Sequence, residues 1–112
     1  MTLNEYQRLA ARTINTNLSN ADLEMHALHG LAGEVGEIHS LFQKVYQGHP
    51  MLVSDLMKEL GDLIWFAAEL CTANQTSLEE VAQKNIEKLK KRYPEGFSEE
   101  RSVNREAYGD EG

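Results

Sequence analysis

Cysteine, proline and long apolar runs are scarce in this chain of 112 residues, which has one cysteine and two prolines. One cysteine cannot form an internal disulfide, so a secreted scaffold held by disulfides is excluded and a reducing cytoplasm is expected. The most apolar stretch, residues 60 to 71, is interrupted by Asp62 and Glu69 and is shorter than the roughly 20 residues that span a bilayer. The first twelve residues contain no apolar segment of the kind found in signal peptides. We therefore expect a cytoplasmic protein with no membrane partner.

Positive charge is also scarce. Eleven Lys and Arg residues against eighteen Asp and Glu residues give a formal net charge of −7. A field of this sign repels polyphosphate backbones, so we expect no DNA or RNA polymer as a partner. An anionic substrate would need metal ions to bind. Apolar residues at 41% and charged residues at 26% are near the averages for a globular domain, and the length suits a single core.

The sequence contains helical periodicity and capping signals, and we find no strand signal in it. The pattern predicts helices over about residues 3 to 16, from Ser19 to about Tyr46, from about 55 to 73, and from Ser77 to about Arg92. Predicted N-caps are Thr2, Ser19, Ser54 and Ser77. Gly48-His49-Pro50 is expected to break the chain between the second and third helices. Residues 98–112 are polar and are expected to form a C-terminal tail after a helical domain of residues 1–97.

The third predicted helix is apolar around most of its circumference. One small subunit has difficulty covering such a helix on all sides, so we expect a homo-oligomer. The contact is expected around Ile64, Trp65, Ala68 and Cys71. The alternative is a central helix that its own three neighbours already bury.

Two pairs of carboxylates are the candidate functional residues. Glu34 pairs with Glu37, and Glu59 pairs with Asp62, each at a spacing that places both side chains on one helical face. Antiparallel neighbouring helices would bring the pairs together. Four converging carboxylates need a counter-charge to stay ionised, and oxygen-only ligation suits Mg²⁺, for which Mn²⁺ may substitute.

Other interpretations of these residues fit less well. Solvent-facing carboxylates would be ordinary, but both pairs border apolar residues. A di-iron bundle needs Glu-x-x-His pairs, and the sequence has none. His26 and His29 share a face, yet further nitrogen or sulfur ligands are lacking, so we interpret them as structural or substrate-contacting. Four glycines inside the carboxylate-bearing helices each cost about 1 kcal/mol, and close helix approach or room for metal and phosphate would explain them: Gly30, Gly33, Gly36 and Gly61.

Together these motifs resemble the MazG-like branch of the all-α nucleoside triphosphate pyrophosphohydrolases. The resemblance rests on Glu34-x-x-Glu37 followed by Glu59-x-x-Asp62, on the residues that flank these two motifs, and on the segment Asn85-Ile-Glu-Lys-Leu-Lys-Lys-Arg-Tyr-Pro94. It covers about residues 3 to 105. It implies a four-helix-bundle-like subunit, assembly into a homodimer or homotetramer, and hydrolysis of an NTP or dNTP to the monophosphate and pyrophosphate, which controls nucleotide pools.

The resemblance also implies roles for individual residues. Metal ligands are Glu34, Glu37, Glu59 and Asp62, and Glu34 or Glu37 would take a proton from the attacking water. Expected substrate contacts are Lys44, Phe66, Asn85, Lys88 and Arg92. Two other functions stay open: a non-catalytic helical module that binds a nucleotide or regulates a partner, and a structural oligomerisation protein.

Overall fold

The structure, a computed structural model, describes residues 1–105, and every regular element in that range is helical. The helices are α1 (Leu3–Ala10, continued by a 3-10 turn over Ala11–Thr13), α2 (Asn20–Tyr46), α3 (Val53–Ala73), α4 (Leu78–Arg92) and α5 (Glu99–Val103). The prediction of an all-α fold is confirmed. Within the described range, no helix combines the length and the hydropathy needed to cross a membrane.

Two of the predicted caps begin their helices. The Thr2 hydroxyl accepts a hydrogen bond from the Glu5 amide at 3.1 Å, and the Ser19 hydroxyl accepts one from the Asp22 amide at 3.2 Å. The Ser54 cap is wrong, because α3 begins at Val53 and its N-cap, Leu52, has no side chain that can accept a hydrogen bond.

The first helix is shorter than expected. It tightens into a 3-10 turn after Ala10, where the Thr13 hydroxyl donates to the Ala10 carbonyl at 2.9 Å, and Ile14 is extended. The predicted break after α2 is confirmed, with Gly48 at φ +97°, a conformation that favours glycine.

Residues 1–78 form one compact unit built on α1, α2 and α3. Contacts between α2 and α3 pair His26 with Glu69, Gly30 with Phe66, and Glu34 with Glu59. In these pairs the residue number rises along α2 and falls along α3, so the two helices are antiparallel. α1 is tied to the end of α3 by Gln7, whose amide group donates to the Thr72 hydroxyl at 3.1 Å.

Small side chains make up most of the buried apolar set: Ala10, Leu23, Ala27, Ala68, Cys71 and Ala73. Ala68 and Cys71 are therefore covered within the single chain and do not offer the intersubunit contact expected of them. Trp65 also contacts its own chain, since its indole N–H donates a hydrogen bond to the Thr13 hydroxyl at 2.9 Å. Of the expected contact residues, only Ile64 is exposed.

The second unit runs from Glu79 and contains the rest of α4 and α5. Ser98 caps α5 by accepting from the Arg101 amide at 3.3 Å, and the Arg101 guanidinium donates to the Arg92 carbonyl at 3.4 Å. α5 lies within the stretch expected to be a polar tail, whose last residues, 106–112, lie outside the described range. The division into residues 1–97 and 98–112 stays a prediction.

Candidate metal and nucleotide site

Three carboxylates from two helices meet at the contact between α2 and α3. Glu34 projects from the middle of α2, while Glu59 and Asp62 share one face of α3 because they are three residues apart. One oxygen of each lies within 4.8 Å of the others. We refer to Glu34, Glu59 and Asp62 as the carboxylate cluster. Its oxygens are close enough to ligate a common cation.

The electrostatics of the cluster are unfavourable without a cation. Hydrogen bonding with Glu59, then burial, then the charges of Glu59, Asp62 and Glu37 raise the pKa of Glu34 to about 7. The Oε2 atom of Glu34 is buried and has no hydrogen-bond donor among residues 1–105. A buried carboxylate oxygen without a donor is costly, and a divalent cation would satisfy it.

Glu37 stands apart from this cluster. It lies one turn beyond Glu34 on α2, is exposed, and acts on Glu34 through its charge. It is not among the three residues whose oxygens lie within 4.8 Å of one another. Its role as a metal ligand stays a prediction.

The glycines near the cluster divide into two kinds. A Cβ at Gly30 would collide with the ring of Phe66, so this glycine permits the close approach of α2 and α3. A Cβ at Gly33, Gly36 or Gly61 would meet nothing within 4 Å. These three leave bare backbone beside the carboxylates, which is room that a ligand can occupy.

The remaining predicted substrate contacts are scattered over the chain. Phe66 packs its ring on the Gly30 backbone, and Lys44 is exposed in the last turn of α2. On α4, in the second unit, Asn85 and Lys88 are exposed and Arg92 is buried. Their roles in substrate binding stay predictions.

A second polar group on the same pair of helices was not predicted. The carboxylate of Glu69 is 1% exposed and accepts a hydrogen bond from His26 Nδ1, at 2.7 Å to Oε1 and 2.9 Å to Oε2. The sequence marked His26 as structural or substrate-contacting and Glu69 as a lone carboxylate within an apolar stretch, but it did not predict that the two would pair. Tyr6 was also missed: burial, and next the charge of Asp62, raise its pKa, which indicates that α1 brings a phenol towards the cluster.

Comparison with known proteins identifies the family. Residues 24–97 match the model of the MazG nucleotide pyrophosphohydrolase domain. The chain belongs to the MazG family. This match confirms the resemblance drawn from the motifs and supports hydrolase activity on nucleotide anhydrides at the level of the family.

The MazG chain also has a relative in a virus. It is 33% identical over 81 residues to the Gene 37 protein of Mycobacterium phage L5, and the alignment covers 68% of this chain and 71% of that protein. No solved structure gives a significant match.

Proposed function

We propose that this MazG protein hydrolyses a nucleoside or deoxynucleoside triphosphate to the monophosphate and pyrophosphate in a Mg²⁺-dependent reaction. The carboxylate cluster carries the proposal, because a family that acts on nucleotide anhydrides needs a counter-charge for a polyphosphate. A chain of net charge −7 provides little of that charge by itself. The reaction would regulate nucleotide pools.

The cluster fits Mg²⁺ by the chemistry of its donors. Glu34, Glu59 and Asp62 offer oxygen ligands only, which suits a hard cation, and Mn²⁺ may substitute. Bound there, the metal would neutralise charge on the triphosphate oxygens. A cation would also lower the pKa of Glu34 again, since an opposite charge favours the ionised form.

Proton transfer is assigned to the carboxylates of α2. Glu37 lies outside the cluster and is exposed, so it is left to accept the proton of the attacking water. Glu34 is the second candidate, because one of its oxygens has no donor. Phosphate contacts are assigned to Lys44, Asn85, Lys88 and Arg92, and Phe66 is assigned to the nucleoside.

We infer that the working form is a homodimer or homotetramer. Exposed apolar side chains recur on one face of α2 at intervals of three and then seven residues: Met25, Leu28, Val35 and Phe42, the last three being 49%, 46% and 51% exposed. A matching stripe on α3 consists of Val53, Met57, Leu60 and Ile64. A second copy of the chain would bury these stripes, which a lone subunit leaves in water.

The activity is tested by incubating the purified protein with each NTP and dNTP, with Mg²⁺ or with EDTA, and separating the products by chromatography. We expect monophosphate and pyrophosphate with Mg²⁺ and no reaction with EDTA. Diphosphate with free phosphate as the main products would contradict the assigned bond. No turnover of any triphosphate would instead favour a non-catalytic module.

A further inference from the structure

The pair formed by His26 and Glu69 is not required by the carboxylate chemistry. Glu69 is buried almost completely, whereas the side chain of His26 is 51% exposed. The buried carboxylate of Glu69 accepts the hydrogen bond from Nδ1 of His26. The other ring nitrogen, Nε2, has no hydrogen-bond partner among residues 1–105. The imidazole is thus fixed at one nitrogen and leaves the other for a ligand.

A purely structural role explains this pair poorly. An apolar side chain of similar size at position 69 would fill the same buried space without the cost of desolvating a charge, so the fold has little need of Glu69. The two aromatic neighbours, Phe66 at 5.7 Å and Trp65 at 6.4 Å between ring centroids, would pack as well on an apolar residue. Burying a carboxylate is costly, and a functional imidazole would explain why it is retained.

The position of His26 excludes proton transfer at the metal site. His26, Gly30 and Glu34 succeed one another at one-turn intervals, which puts His26 about 12 Å from Glu34 along α2. Side chains on one helix lean in the same direction, so the lean of His26 and Glu34 does not shorten this separation. A general base must lie within hydrogen-bond reach of the water or be linked to it by one further water, and His26 does not meet this condition.

The same separation suits the other end of a nucleotide. If the carboxylate cluster holds the triphosphate, as the proposed function requires, the sugar and base extend along the contact between α2 and α3. Phe66 lies next in that direction, packed on Gly30, and His26 follows it. An aromatic face beside a hydrogen-bonding nitrogen is a combination that recognises a nucleobase.

We propose that His26 reads the edge of the nucleobase through Nε2 and that Glu69 is the positioning residue that fixes its tautomer. A carboxylate only accepts hydrogen bonds, so Nδ1 carries a proton, and we assign Nε2 as the nitrogen that accepts from the base. An acceptor at this point favours a base with an exocyclic amino group over the keto analogue. This assignment deepens the proposed function and rests on it.

The test compares substrates that differ only in that group. Specificity constants (kcat/KM) are measured for dCTP against dUTP and for dATP against dITP, with the full chain and Mg²⁺. In the pair that is hydrolysed faster, we expect the native protein to favour the amino member by about tenfold, the net effect of one hydrogen bond that the keto member cannot make. His26→Ala should reduce that preference to within about threefold. His49→Ala, which removes an exposed histidine from the loop after α2, is the matched control and should retain the preference.

Two variants of Glu69 separate positioning from scaffolding. Glu69→Gln retains an acceptor for Nδ1 and should retain most of the preference. Glu69→Leu should lose the preference while melting no lower than the native protein, because the charge that it removes is buried and the remaining His26 is half-exposed to water. A native preference for the keto members, or an unchanged preference in His26→Ala, would overturn the assignment. If no triphosphate is hydrolysed, the proposed function fails. The contact between His26 and the base is then tested by the ratio of dissociation constants for the amino and keto members of each pair, measured by calorimetry.

Discussion

Neutralising Glu34 separates a metal site from an ordinary acidic surface. In the metal-free protein, the pKa of Glu34 is raised from its ordinary value near 4.5 to about 7, first by the hydrogen bond with Glu59 and then by burial and neighbouring negative charge. A carboxyl group with a raised pKa stabilises the fold while protonated. That stability is fully present below about pH 4.5 and is lost as the pH rises through about 7.

The size of the effect follows from that shift. A shift of this size corresponds to about 3 kcal/mol at most, and water around the exposed Asp62 screens it, so we expect a loss of about 1 kcal/mol between pH 5 and pH 8. For a domain of this length, that loss lowers Tm by about 4–8 °C. Glu34→Gln retains the shape and removes the charge. It should therefore melt higher than the native protein at pH 8 without metal and show a smaller dependence on pH.

Metal and activity should respond in the opposite direction. Mg²⁺ at about a hundred times its dissociation constant stabilises the native protein by about 2.7 kcal/mol, and Glu34→Gln should lose most of that gain. It should also lose at least about a hundredfold in hydrolysis rate, as expected when a preorganised electrostatic group is removed.

The assays are differential scanning fluorimetry at several pH values, with Mg²⁺ or EDTA, and pyrophosphate release. Glu24→Gln, on the same helix but outside the cluster, is the control and should behave as the native protein does. The reasoning is refuted if Glu34→Gln melts lower at pH 8 without metal, yet retains the Mg²⁺ response and the rate.

Two further substitutions test the packing of the fold and the assembly. Gly30→Ala should lower the free energy of unfolding by about 1–3 kcal/mol in urea, because its Cβ would strike the Phe66 ring. The control Gly33→Ala enters open space and should raise that free energy by up to about 1 kcal/mol; equal responses would contradict the close approach at Gly30. Phe42→Glu, in the exposed α2 stripe, should give a monomeric mass by light scattering, whereas Gln43→Glu adds the same charge beside the stripe and should leave the oligomer intact. A monomeric native protein would count against the proposed assembly.

The sequence predicted helices and their ends best where the signal was local. Thr2 and Ser19 each precede an acidic residue by three positions, and the hydroxyl of each accepts a hydrogen bond from the backbone amide of that residue. Gly48 and Pro50 end the helical segment because of their own backbone properties, which do not depend on the rest of the fold. The Ser54 cap failed because α3 starts earlier, at Val53, after an N-cap residue, Leu52, whose side chain makes no capping hydrogen bond.

Contacts between helices were predicted only in part. Glu59 and Asp62 share a face by spacing alone, and antiparallel helices then bring Glu34 to them. Spacing does not give the register between α2 and α3, so the partner of Glu69 could not be read from the sequence. The unknown register also hides which of the four glycines inside α2 and α3 lies against the other helix. In the structure, only Gly30 of these four has a side chain packed against it.

The α2 and α3 contact serves both the fold and the site, and these uses conflict. His26 with Glu69 and the carboxylate cluster occupy two places along this contact where a stable core would put apolar side chains, and Gly30 between them contributes no side chain at all. The buried apolar set of residues 1–105 is mostly alanine, which stabilises a fold less than leucine or phenylalanine does. Several of the larger apolar side chains lie instead on the exposed stripes of α2 and α3. A second copy that buries those stripes would supply hydrophobic stabilisation that the interior gives up, because the polar groups of the site occupy it. The proposed assembly would thus compensate for the polar groups that the candidate site places on the same two helices.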